Sequence, residues 1–93
     1  MTTREALEYV ANNAGEYVNR LHPNDVETLR TITKLIRDEL RKPWDTSTGY
    51  RLESLKADVI TALNGIEAVC AARAFVWDVS LVTIKPLIVV MWS

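Results

Sequence analysis

Four cations, Arg30, Lys34, Arg37 and Arg41, recur at steps of four, three and four residues. On a helix that spacing lines one face, and Lys42 extends it. Such a face suits contact with phosphates or with an acidic protein surface. It equally suits a solvated face that pairs within itself. Glu27 would reach Arg30 and Lys34, Lys34 would reach Asp38, and cations near a helix C-terminus complement the macrodipole. The self-paired face is the simpler expectation, and nucleic-acid binding through this stripe is the alternative.

The other reactive side chains are scattered. His22 is the one histidine and Cys70 the one cysteine, and no CxxC or HExxH spacing joins them. His22 precedes Pro23 and reads as a helix-end or surface residue. Cys70 lies in the run Ala68-Val69-Cys70-Ala71-Ala72 and reads as a small core hydrophobe. The glycines at 15, 49 and 65 are too far apart for a phosphate loop or a dinucleotide motif. Thr46, Ser47 and Thr48 supply hydroxyls without a histidine-based triad, and Glu5, Glu8, Asp38, Glu39, Asp45 and Asp58 have no partner that would tune them for proton transfer. Catalysis would require Asp45, Ser47 and His22 to converge on an apolar pocket. The expectation is a protein with no catalytic, cofactor-binding or metal-binding residues.

Aromatic side chains suggest a different use. Trp44 and Tyr50 fall in the segment Pro-Trp-Asp-Thr-Ser-Thr-Gly-Tyr-Arg, residues 43–51. They either cover the core edge or anchor a partner, since aromatics are enriched at interface hot spots. Trp77, Val90 and Trp92, from the apolar back of the chain, are the further candidate contacts.

The elements that must position these residues divide the chain in two. Residues 1–58 hold 19 of the 23 charged residues, and residues 59–93 hold Glu67, Arg73, Asp78 and Lys85. A first helix is predicted from Thr3 to about Leu21, with Leu7, Val10, Ala11, Ala14, Tyr17, Val18 and Leu21 as its stripe. Thr2 and Glu5 make a capping box, and Gly15 beside Ala11 and Ala14 suggests a close helix crossing. A second helix runs from Pro23 or Asn24 to Arg41, burying Val26, Leu29, Ile32, Leu35, Ile36 and Leu40. A third spans Leu52 to Asn64, where Asn64-Gly65 reads as a stop.

Beyond Ile66 the pattern becomes apolar and β-branched. It predicts a strand pair over residues 68–77 and 81–91, turning near Asp78 to Ser80, with Pro86 at an edge, bulge or strand start; the alternative turn is Lys85-Pro86, which would lengthen the first strand. The rival for residues 66–77 is a helix, whose stripe would be Ile66, Val69, Cys70, Ala74 and Trp77. No uncharged apolar run reaches the 18 residues a membrane span needs. The fold predicted is therefore α+β, a single domain over residues 1–93 with three helices packed on a small C-terminal antiparallel sheet or hairpin.

The chain has 93 residues, a net charge of -1 and 48% hydrophobic residues. Those values fit a small globular domain and exclude a disordered, collagen-like or disulfide-stapled chain. Met1 to Glu5 hold no apolar signal segment, so a cytoplasmic setting is expected. In size and layout alone, the chain resembles small bacteriophage assembly or host-counter-defence proteins. That resemblance rests on no motif and transfers no site. The function expected is a non-catalytic structural or protein-interaction subunit, either a homo-oligomer or part of a complex. An unprotected apolar sheet edge is the reason to expect association.

Overall fold

The computed structural model describes residues 2–77 and 84–92, with the backbone alone for Arg20 and for residues 70–77. Thr2 opens helix α1 (Thr3–Asn13). Its hydroxyl accepts from Glu5 N at 3.1 Å, and Thr2 N donates to Glu5 Oε1 at 3.2 Å. The capping box is thus formed as the sequence predicts. The α-helix does not run on to Leu21. Asn13 turns its side-chain amide back to the Tyr9 carbonyl at 2.8 Å, and Ala14–Arg20 tighten into a 3-10 helix. Side-chain competition at Asn13 and the low helix propensity of Gly15 both favour that change.

Helix α2 (Pro23–Arg41) keeps the predicted bounds. Its cap is His22: Nδ1 accepts from Asn24 N at 3.2 Å, and Pro23 occupies the first turn, where its missing N–H costs nothing. Leu29, Ile32 and Ile36 are buried, but Leu35 is 52% exposed and leaves the predicted buried stripe.

Helix α3 (Thr48–Trp77) starts four residues before the predicted start and passes straight through Asn64-Gly65. Leu63 and Ile66, on either side of that dipeptide, are both buried. Each such side chain contributes about 1.5–3 kcal/mol, which outweighs the roughly 1 kcal/mol a helical glycine costs. The rival helical reading of residues 66–77 is therefore the one the backbone adopts.

Helix α4 (Lys85–Met91) replaces the predicted second strand. Ile84 N donates to Glu67 Oε2 at 2.9 Å, tying the start of α4 to α3. Pro86 sits in the first turn, where its fixed φ favours a helix rather than marking a sheet edge. Ile84, Leu87, Ile88 and Met91 are buried at helical spacing.

The α+β expectation is thus overturned. The fold is a four-helix bundle, with no strand among the described residues. The layout behind the likeness to small phage proteins goes with it. The predicted turn at Asp78 to Ser80 lies outside the described residues. One hydrophobic core joins all four helices: Leu7 and Val10 of α1, Leu29 and Ile36 of α2, Leu63 of α3 and Leu87 of α4 are fully or almost fully buried. α1 packs against α2 and α4, and α3 packs against the same two helices. No helix among the described residues is long and apolar enough to cross a membrane.

Candidate functional site

The basic stripe of α2 faces a groove of about 520 Å³ between α2 and the α1–3-10 segment. Arg30, Lys34, Arg37 and Arg41 all line it, along about 16 Å of helix. The opposite wall and floor are small and uncharged: Ala11, Ala14, Gly15 and Val18, with Leu29 beneath. A Cβ added to Gly15 would meet nothing within 4 Å, so the close helix crossing expected there is absent and the glycine opens onto the groove.

None of the ion pairs expected along this face forms. Glu27 pairs with neither Arg30 nor Lys34, and Lys34 does not pair with Asp38. Asp38 pairs instead with Arg41 at 3.8 Å, an exposed contact worth under about 1 kcal/mol. Arg37 Nη2 donates to the Ala11 carbonyl at 3.4 Å, which draws one cation toward the α1 wall. Among the described residues, four cations therefore stand against one carboxylate, Asp38, in a recess whose other side is apolar.

The loop before α3 is tied down differently. Asp45 Oδ1 accepts from Ser47 N at 2.8 Å and Ser47 Oγ at 2.7 Å, while Asp45 N donates to Thr48 Oγ1 at 2.9 Å. These bonds order the entry to α3. Arg51 reaches back across the loop, with Nε 3.0 Å from Glu39 Oε1 and Nη2 3.6 Å from Asp45 Oδ2. The Nε–Oε1 contact is an ion pair without hydrogen-bond alignment. Lys42 Nζ lies 3.0 Å from Glu39 Oε2. Arg51 thus ties α3 to the end of α2 and to the loop, while Lys42 closes the last turn of α2.

The Ser47 hydroxyl, then the Ser47 N–H, hold the Asp45 carboxyl below its ordinary value. A carboxyl depressed on folding binds fewer protons than its unfolded counterpart. Its stabilisation is therefore complete above the unfolded pKa and is lost as pH falls through the folded one. Asp45→Asn should lose less stability than the parent protein between about pH 5 and pH 2, as read by urea unfolding at each pH. Equal acid sensitivity would mean the Ser47 bonds do not hold in solution.

The remaining predicted contacts are dispersed. Trp44 is 61% exposed, with the Arg4 guanidinium 5.5 Å from its ring centroid. Tyr50 is 80% exposed on the first turn of α3, and Trp92 is 69% exposed just past α4. Val90 is half-buried against the core, so Val90→Lys would probe stability rather than a strand edge. Trp77 closes α3, and its side chain, like that of Cys70, lies outside the described residues. Asp45 and Ser47 meet, but His22 caps the far end of α2, a helix about 28 Å long. Among the described residues, no three His, Cys, Asp or Glu side chains gather to hold a metal ion.

Two features escaped the sequence reading. One is the small-residue wall facing the cations, of which Gly15 with Ala11 and Ala14 was the available signal. The other is a second groove, of about 580 Å³, between α2 and α3 around the exposed Leu35, with Glu27 and Asp58 at its rim. Comparison with protein-family models, with curated proteins and with solved structures found no match to this chain.

Proposed function

We propose that this chain is a non-catalytic protein-interaction subunit that docks a partner in the α1–α2 groove. The observation that carries this reading is the set of four cations, largely unneutralised, along one wall of a recess with an uncharged small-residue wall opposite. Ordered cations beside apolar surface combine electrostatic steering with burial, the two ingredients of a specific interface. Trp44, Tyr50 and Trp92 supply further contact surface for a complex or for self-association, though the sheet edge that first suggested self-association has no strand to rest on among the described residues. A cytoplasmic setting belongs to the same proposal, because a lone cysteine offers no internal disulfide.

Affinity capture from the native cell, with mass spectrometry, tests this reading. The parent protein should retain partners that an Arg30→Glu, Lys34→Glu double variant loses. Identical capture profiles would remove the groove from the interface. Nucleic-acid binding is the second reading, favoured by the gathering of the same four cations. It predicts salt-dependent retention of duplex DNA that Arg37→Glu with Arg41→Glu abolishes; no retention at low salt would end it.

A further inference from the structure

The two walls of the α1–α2 groove differ, and the difference bears on what fits between them. The α2 wall carries Arg30, Lys34, Arg37 and Arg41; the facing wall carries Ala11, Ala14, Gly15 and Val18. We propose that the groove seats an acidic amphipathic helix of a protein partner, about three turns long, with its apolar stripe on the small-residue wall and its carboxylates along α2. The proposal rests on the docking role described above and goes further by naming the chemistry of the occupant.

Three observations favour a helix over the alternatives. First, the cations span about 16 Å, the rise of about eleven helical residues. Carboxylates recurring at steps of three and four residues on a neighbouring helix would match their spacing. Second, exposed Gly15 and half-buried Val18 leave the facing wall open to close approach, with nothing within 4 Å of a Cβ placed on Gly15, while Ala11 and Ala14, each 4% exposed, form the floor beneath. Third, no strand edge lies among the described residues to satisfy the backbone of an extended peptide, whereas a helix satisfies its own backbone.

Nucleic acid fits less well. Duplex DNA is read by elements that protrude into its grooves, and these cations line a recess. Single strands bind through aromatic stacking, and no aromatic side chain among the described residues lines this groove. An uncharged apolar wall gives phosphates nothing to meet.

Fluorescence anisotropy with synthetic probes tests the proposal. The probes are a labelled 15-residue peptide, roughly four turns of helix, with leucines on one stripe and glutamates on the flank beside it; its Glu→Gln counterpart; a counterpart broken by a central proline; and a generic duplex DNA. The acidic helix should bind, and both counterparts should bind at least about tenfold more weakly. Arg30→Glu with Lys34→Glu should weaken binding by a similar factor, and Gly15→Trp should do so by filling the groove from the facing wall while leaving every charge in place. Leu35→Glu, in the other groove, should change nothing. Circular dichroism of each variant checks that the bundle persists; the altered residues are exposed, so it should.

Equal binding of the Glu and Gln peptides, or equal binding of the proline peptide, would overturn the proposal. Tighter binding of the duplex with the same variant sensitivity would also overturn it and assign the groove to nucleic acid. If no peptide binds while cellular capture still depends on Arg30 and Lys34, the docking role stands and the acidic helix falls.

Discussion

Met91→Lys is expected to unfold the protein at 25 °C, whereas Val89→Lys, two residues earlier, should cost no more than about 0.5 kcal/mol. Met91 is fully buried and Val89 is 61% exposed. An ammonium forced into an apolar core without a partner costs several kcal/mol, against a total stability of about 5–15 kcal/mol for a domain. Leu87→Lys, one helical turn before Met91, should fail in the same way. The contrast is specific to a helix. In the strand that the sequence pattern suggests, residues 87, 89 and 91 would share one face, and all three substitutions would do similar harm. Urea unfolding followed by circular dichroism separates the two patterns. A Val89→Lys protein as unstable as Met91→Lys would contradict the α4 helix.

Leu63→Ala should lower stability by about 3–5 kcal/mol, and Leu35→Ala by about 0.5 kcal/mol or less. Leu63 is fully buried in α3 beside Gly65, and its truncation removes both transfer energy and contacts around the resulting cavity. Leu35 keeps half its surface in water at the rim of the α2–α3 groove. For a domain near this size the first change should lower the melting temperature by roughly 12–25 °C. Calorimetry of the two variants checks it. Similar losses from both would mean that Leu35 is covered in solution, as self-association through the α2–α3 groove would cover it.

The front of the chain was readable because its signals are local. Thr2 with Glu5, and Pro23 at the start of α2, act within a single turn and leave little for tertiary structure to decide. The one-face spacing of Arg30, Lys34, Arg37 and Arg41 was legible for the same reason. What faces them was not, because a groove wall is set by how the first segment crosses α2 and not by either sequence alone. The failure at Leu35 is of that kind too: its stripe position is right for burial, but α3 does not cover it.

The back of the chain misled for a different reason. Residues 66–91 carry β-branched and aromatic side chains whose local preference is for strand, but the difference from helix is only tenths of a kcal/mol per residue. Burial of Ile66, Ile84, Leu87, Ile88 and Met91 outweighs that preference. Gly65 reads locally as a helix stop and Pro86 as a sheet edge, bulge or strand start, yet a helix interior tolerates a glycine and its first turn accepts a proline. In both cases core packing on either side selected the helix.

The association of this chain with an acidic helical segment is tested most directly by amide chemical-shift mapping. An isotope-labelled sample would be titrated with the leucine–glutamate peptide. The groove site predicts that the largest shifts fall on Ala11, Ala14, Gly15, Val18, Lys34 and Arg37, while Thr28, Thr31 and Leu55 of the α2–α3 groove stay in place. Shifts centred on Thr28, Thr31 and Leu55, or no shifts in either groove at saturating peptide, would contradict it.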